Sequence, residues 1–190
     1  KIISREIGYF GRLSQHWTVD ARAYRDNAKQ LIEFINVPTP ANPATNFYLG
    51  TIDFGNIGSA TIKGVELQTE YRVPAGRFIA NYAYTDIDSP YQIVATSAPR
   101  HAFNLMAIVP VRQYRLSAVY HYTDAFQMPD GDLLGPIARL DLRAARPFKS
   151  PLAGGEVALV AQNVLDERYE YEVDNVFGRR YWLVVRLSLN

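Results

Sequence analysis

The chain has 190 residues, with 20 Lys and Arg against 19 Asp and Glu, and no Cys. That length suits one ordinary domain. The near-neutral balance argues against nucleic acid as a partner, since phosphate binding needs a surplus of cations, and the missing thiols exclude a disulfide framework, a Cys nucleophile and a Cys-ligated zinc.

Periodicity near 3.6 residues is almost absent and period two recurs along the whole chain, so the elements are expected to be strands. Residues 5–13 and 16–24 alternate weakly across the short link Ser14-Gln15, and the long segment 25–61 follows as a predicted loop. Residues 63–73 alternate sharply, with Val65, Leu67, Thr69, Tyr71 and Val73 on one face and Glu66, Gln68, Glu70 and Arg72 on the other. A tight turn at Pro74-Ala75-Gly76 leads into residues 77–85, and a second long connection is expected over residues 86–100. Residues 102–109 and 114–123 are joined by a short turn, and residues 124–136 form a third long connection. Ala138, Leu140, Leu142 and Ala144 alternate with Arg139, Asp141 and Arg143. A shorter break at residues 147–154 precedes residues 156–162, a fourth long loop spans 164–179, and residues 180–190 close the chain. In that last stretch Tyr181, Leu183, Val185, Leu187 and Leu189 share one greasy face.

This gives about nine strands whose connections alternate short and long, as in a transmembrane β-barrel with tight turns at one end and extended loops at the other. The apolar run at residues 105–111 contains Pro110 and falls far short of the roughly 20 residues of a membrane-spanning helix. Strands of about 9 to 11 residues suffice for a barrel. Trp17, Tyr71, Tyr82, Tyr84, Tyr120, Tyr122 and Tyr181 fall near strand ends, where an aromatic girdle belongs. A soluble β-sandwich alternates too, with its greasy face turned to a core. The segregation of turn lengths and the uninterrupted greasy face favour the bilayer.

Four motifs then occur in order. Residues 55–67 include Asn56, Gly58, Gly64, Val65 and Glu66; Ala98-Pro99-Arg100-His101 stands before Asn104-Leu105; Gln162-Asn163-Val164-Leu165-Asp166 precedes Tyr169; and Gly178-Arg179-Arg180-Tyr181-Trp182 opens the last strand. Together they resemble the barrel of the TonB-dependent outer-membrane receptors. The resemblance implies an all-β fold, with antiparallel transmembrane strands forming part of a barrel of about 22 strands. Residues 1–190 would be its C-terminal portion, without the plug domain. The chain begins Lys1-Ile2-Ile3, without Met or a signal peptide, as expected of a processed or excised piece. It ends Leu189-Asn190, where the family usually carries an aromatic residue. The implied function is TonB-dependent uptake of a bulky nutrient, most often a ferric siderophore, across the outer membrane of a Gram-negative bacterium. The implied partners are outer-membrane lipid, the N-terminal plug, TonB and an iron chelate. A plug-free passive porin and a soluble β-sheet binding domain are the alternatives.

Catalytic chemistry finds no support in the residues. His16, His101 and His121 are scattered, and no His-Glu-x-x-His, Gly-x-Ser-x-Gly or phosphate-loop spacing occurs. No catalytic residue, metal ligand or cofactor is expected. Asp124, Asp130 and Asp132 beside Gly131 read as turn residues rather than a cation loop. Binding is better served. Glu66, Glu70, Arg139, Asp141, Arg143 and Arg186 are expected to face the lumen and the plug, while Phe47, Tyr48, Tyr91, Phe126, Met128, Tyr169 and Tyr171 offer apolar platforms on long loops. In the motifs, Gly64 is expected at a strand start, permitting a bulge or a close backbone approach. Gly58 and Gly178 are expected to take positive φ. Asn163 and Asp166 are expected to bond local backbone where a strand breaks into a loop.

Overall fold

Alternation of apolar and polar residues over most of the chain builds one antiparallel sheet. The computed structural model describes residues 1–37, 51–128, 131–149, 153–170 and 176–189. In chain order the elements are β1 (Ile2–Ser14), β2 (Trp17–Val37), β3 (Thr51–Val73), β4 (Gly76–Asp88), the single-turn α1 (Gln92–Ala95), β5 (His101–Val111) and β6 (Tyr114–Thr123). There follow β7 (Phe126–Gln127), β8 (Leu133–Leu134), β9 (Ile137–Lys149), β10 (Ala153–Gln162), β11 (Tyr169–Glu170), β12 (Val176–Phe177) and β13 (Arg180–Leu189). Nine strands form the sheet in the order β1-β2-β3-β4-β5-β6-β9-β10-β13, and every pairing is antiparallel. Among the described residues β1 and β13 do not pair, so the sheet stays open. The pairs β7–β8 and β11–β12 are small hairpins inside two of the long connections.

The register carries each face intact across the sheet. Val65 stands opposite Ala23 and Tyr84, Leu67 opposite Ala21 and Tyr82, and Tyr82 in turn opposite Phe103. Leu105 then faces Tyr120, Tyr120 faces Leu140, Ala144 faces Leu159 and Leu159 faces Leu183. Residues directly opposite in a ladder lie on the same side of a sheet, so these side chains tile one continuous apolar face. Within it no Asp, Glu, Lys or Arg occurs from Ile7 to Leu13, Trp17 to Ala23, Val65 to Val73 or Gly76 to Tyr84. Leu67, Leu105, Leu142, Leu159 and Leu183 are 41%, 47%, 42%, 65% and 67% exposed. A soluble protein does not leave so large a contiguous apolar surface open, the usual maximum being a few hundred Å², and among the described residues no second sheet covers it. The buried apolar set is correspondingly small: Ala28, Ala60, Leu134, Ile137, Ala145 and Ala158.

Two predicted boundaries are corrected. The segment expected as a loop over residues 25–61 is largely strand, because β2 runs for 21 residues and β3 for 23. Once these strands pass beyond the apolar band their outward face no longer has to be greasy, and the alternation that marks a strand fades at Asp26, Asn27, Lys29 and Gln30. A bulge accompanies the transition: the register shifts around Leu31, and Gln30 takes φ 59°. The break expected over residues 147–154 is also shorter, since β9 continues through Pro147 to Lys149 and β10 begins at Ala153.

Candidate functional site: the inward face and the loop end

The face opposite the apolar band is polar, and its charges are gathered into separate groups. Arg22 donates to Glu66 directly across β2 and β3 at 2.5 Å and lies 3.6 Å from Glu6 on β1. Glu70 accepts from Arg72 on its own strand at 2.5 Å and from both Arg77 nitrogens on β4, at 2.7 and 3.1 Å. Arg139 forks onto Asp141 at 2.8 and 2.7 Å. Arg143 pairs with Glu156, which Arg115 approaches at 3.8 Å. Arg186 stands opposite Glu156 in the ladder without an ion pair to any described residue. Glu66, Glu70, Arg139, Asp141, Arg143 and Arg186 thus share one face but belong to different clusters.

Between the clusters runs an uncharged row. Gln68, Asn81 and Asn104 stand in one register across β3, β4 and β5, continued by Asp20 on β2 and by His121 and Arg139 on β6 and β9. Asn104 meets His121 Nδ1 at 2.6 Å. A polar recess of about 230 Å³ lies over this row, lined among others by Asp20, Arg22, Glu66, Gln68, Asn81 and Asn104. Such a surface supplies donors and acceptors to a seated partner. Among the described residues no group of His, Asp and Glu is arranged to hold a metal ion.

The loop end is held by side-chain bonds to backbone. Asn163 follows β10 in a left-handed conformation, φ 52°, and is only 3% exposed. Its amide nitrogen donates to the carbonyls of Glu167 at 2.8 Å and Phe177 at 3.3 Å, while its backbone N–H reaches Asp141 at 2.9 Å. Asp166, φ 59°, accepts from the Arg179 N–H at 3.2 Å. Asn163 and Asp166 therefore tie the start of the β10–β13 connection to its end at Phe177 and Arg179. Asp124 does comparable work: it accepts from the His101 N–H and from the Tyr122 hydroxyl, both at 3.0 Å. Just before β5, Arg100 donates to Asp86 at 2.8 Å, and that hydrogen bond, aided by nearby negative charge, raises the guanidinium pKa above its ordinary value.

Several expectations for motif residues change. Gly64 lies inside β3, not at a strand start, and no bulge occurs there. The Tyr24 ring lies across it instead, bringing its hydroxyl to Thr85 at 3.3 Å, and a Cβ at Gly64 would strike both that ring and the Tyr84 carbonyl. Tyr24 and Thr85 were not singled out by sequence; an aromatic directly opposite a glycine was the available signal. Gly58 and Gly178 do not take positive φ. Gly58 is buried beside the β2 bulge, and a Cβ at Gly178 would meet only open space. Asn56 pairs with Ile32 just past the bulge, and Val65 belongs to the apolar face beside inward Glu66.

Of the aromatic platforms, Tyr91 precedes α1 and Phe126 lies in β7. Their loops are tied together, as the Gln127 N–H donates to the Thr96 carbonyl and the Thr96 hydroxyl to the Gln127 side chain, both at 2.7 Å. Phe47, Tyr48, Asp130 and Tyr171 lie outside the described residues, and Tyr169 is described by its backbone alone.

Comparisons place this sheet among known folds. The family model for the TonB dependent receptor-like beta-barrel matches residues 2–164. The chain is similar in structure to the ferric-catecholate import receptor Fiu of E. coli K12, with a TM-score of 0.69 and 16% identity over 97% of this chain and 27% of that one. It is likewise similar to the siderophore receptor PiuA of Acinetobacter baumannii, with a TM-score of 0.70 and 18% identity over 97% and 28%. FpvA of P. aeruginosa, in a complex with a heterologous ferric pyoverdine, gives 0.69 and 15% over 96% and 26%. No curated protein matches the chain by sequence. The chain thus spans less than a third of the length of the solved structures it resembles. These relatives are receptors rather than enzymes. With the register, the apolar outer face and the match over residues 2–164 in agreement, this chain belongs to the TonB-dependent receptor β-barrel family.

Proposed function

We propose that this chain is the C-terminal portion of the wall of an outer-membrane receptor that takes up a bulky nutrient, a ferric siderophore in our reading, in a TonB-dependent way. The observation that carries this is the separation of the two faces. An apolar face free of charged side chains from Ile7 to Leu13, Trp17 to Ala23, Val65 to Val73 and Gly76 to Tyr84 suits lipid, and an inward face with grouped ion pairs and an amide row suits a protein or ligand surface. The long connections between β4 and β5, between β6 and β9 and between β10 and β13 leave one end of the sheet, and the short turns at Gln15-His16, Pro74-Ala75 and Arg112-Gln113 leave the other. The long-loop end is then extracellular. On this reading the protein resides in the outer membrane of a Gram-negative bacterium. Its N-terminal plug rests against Glu66, Glu70, Arg139, Asp141, Arg143 and Arg186, and Tyr91, Phe126, Tyr169 and Tyr171 contribute aromatic surface to the ligand.

Iron uptake by cells carrying the full-length receptor tests this. Under iron limitation, ferric catecholate, ferric hydroxamate, pyoverdine-type chelates and haem are supplied in turn. At least one ferric siderophore should enter only when both the receptor and TonB are present. Uptake of none of them, or uptake indifferent to TonB, would overturn the proposal.

A further inference from the structure

The outward face carries one feature that neither lipid tails nor uptake explain. Immediately beyond the apolar band, at the long-loop end, Arg5, Arg25 and Lys63 stand side by side on β1, β2 and β3. The register sets Arg5 directly opposite Arg25 and Arg25 directly opposite Lys63, one row past Ile7, Ala23 and Val65. All three are exposed, and none forms an ion pair with a described residue. Like charges directly opposite in a ladder have Cβ atoms about 5 Å apart and destabilise the pairing. Their natural neutraliser in the row, Asp86 opposite Lys63, is already engaged by Arg100 at 2.8 Å. Asp88 lies a row further out, opposite Thr61. The strip therefore keeps a positive excess one row beyond Tyr84, the aromatic side chain that stands opposite Val65 on the adjoining strand.

We propose that Arg5, Arg25 and Lys63 form a docking strip for the phosphate groups of an outer-leaflet lipid. A phosphorylated headgroup sits at this depth, supplies the missing negative charge, and offers several acceptor oxygens to two guanidinium forks and an ammonium. Its acyl chains continue down over Ile7, Ala23 and Val65. A firmly held lipid would secure the long, projecting β2 and β3 where they leave the membrane. The inference rests on the outer-membrane reading above, which fixes which leaflet the strip meets.

The test uses the full-length receptor in nanodiscs of phosphatidylcholine doped with bis-phosphorylated lipid A, with retained lipid counted by native mass spectrometry after transfer into detergent. The parent should retain lipid A. The Arg5→Gln/Arg25→Gln/Lys63→Gln variant should lose retention on the order of 100-fold, about fivefold per cation. Dephosphorylated lipid A should not be retained, and millimolar inorganic phosphate should not displace the lipid. The Arg5→Lys/Arg25→Lys variant, which keeps the charge and loses the forks, should retain lipid A less well than the parent and better than the triple Gln variant. Equal retention by the triple Gln variant, or retention of dephosphorylated lipid A, would overturn the proposal. So would displacement by free phosphate, which would make the strip a simple anion site. Heat-modifiable gel migration and TonB-dependent iron uptake of the triple variant separate the two readings: if both persist while retention is lost, the strip is a lipid site on a working receptor. If the parent itself shows neither, the receptor reading has failed.

Discussion

The two faces of this sheet obey different rules although they alternate residue by residue along the same strands. The outward face is chemically monotonous. Leu67, Tyr82, Phe103 and Tyr122 follow one another around a single register row, because one featureless solvent acts on every position. The inward face changes from strand to strand: an Arg22–Glu66 pair, a Glu70 site shared by two arginines, an amide row at Gln68, Asn81 and Asn104, and apolar Ile79, Met106 and Val119 in the next register. Variety of that kind belongs to a surface matched to particular partners. On the proposed reading, lipid specifies composition, whereas a lumen partner specifies positions.

The sharpest way to break the comparison uses two neighbouring residues. Leu67→Arg puts a charge in the middle of the outward band and should destabilise the barrel in lipid by about 2–4 kcal/mol. Gln68→Arg, one step away on the other face, should cost well under 1 kcal/mol, within the usual range of a tolerated surface change of roughly 0.5 kcal/mol. Urea unfolding in vesicles, followed by Trp fluorescence, reads both. A smaller effect is expected at Gly64, where an added methyl collides with the Tyr24 ring and the Tyr84 carbonyl. Gly64→Ala should cost about 1–3 kcal/mol, and part of that cost should vanish when Tyr24→Ala is combined with it, as a double-mutant cycle would reveal.

At the loop end, Asn163→Ala removes two hydrogen bonds to backbone carbonyls and leaves a non-glycine residue at positive φ without its local support. A loss of about 1–2 kcal/mol is expected, measurable as a lower thermal midpoint and as faster hydrogen exchange of the Asp166 and Arg179 amides. Arg72→Ala should have the smallest effect, within about 0.5 kcal/mol of the parent in the same unfolding assay. The Arg72 side chain is 68% exposed, and Arg77 continues to hold Glu70.

The legibility of the sequence follows the same division. The nine strands of the sheet, their antiparallel order and their two faces were readable because lipid imposes period two wherever a strand crosses it, most plainly from Val65 to Val73 and from Tyr181 to Leu189. The extension of β2 to Val37 and the start of β3 at Thr51 were not, because outside the bilayer nothing requires Asp26 or Lys29 to alternate with apolar neighbours. Gly58 and Gly178 misled for a related reason: glycine permits positive φ without demanding it, and among the described residues positive φ falls to Gln30, Arg112, Gly131, Asn163 and Asp166. The inward charges could be assigned to a face from alternation alone. Which carboxylate each arginine would choose depended on register between strands, and so Arg77 with Glu70, or Arg143 with Glu156, became visible only in the folded sheet.

The central claim, that one face meets lipid and the other an aqueous lumen, is tested most directly by nitroxide scanning of β3. Single spin labels at Val65, Glu66, Leu67, Gln68, Thr69, Glu70 and Tyr71 are placed in the full-length receptor in liposomes, and their collision rates with oxygen and with a water-soluble nickel chelate are compared. Labels at Val65, Leu67, Thr69 and Tyr71 should favour oxygen, and those at Glu66, Gln68 and Glu70 the nickel chelate or neither reagent. Accessibility with no period of two, or with the phase reversed, would contradict the account.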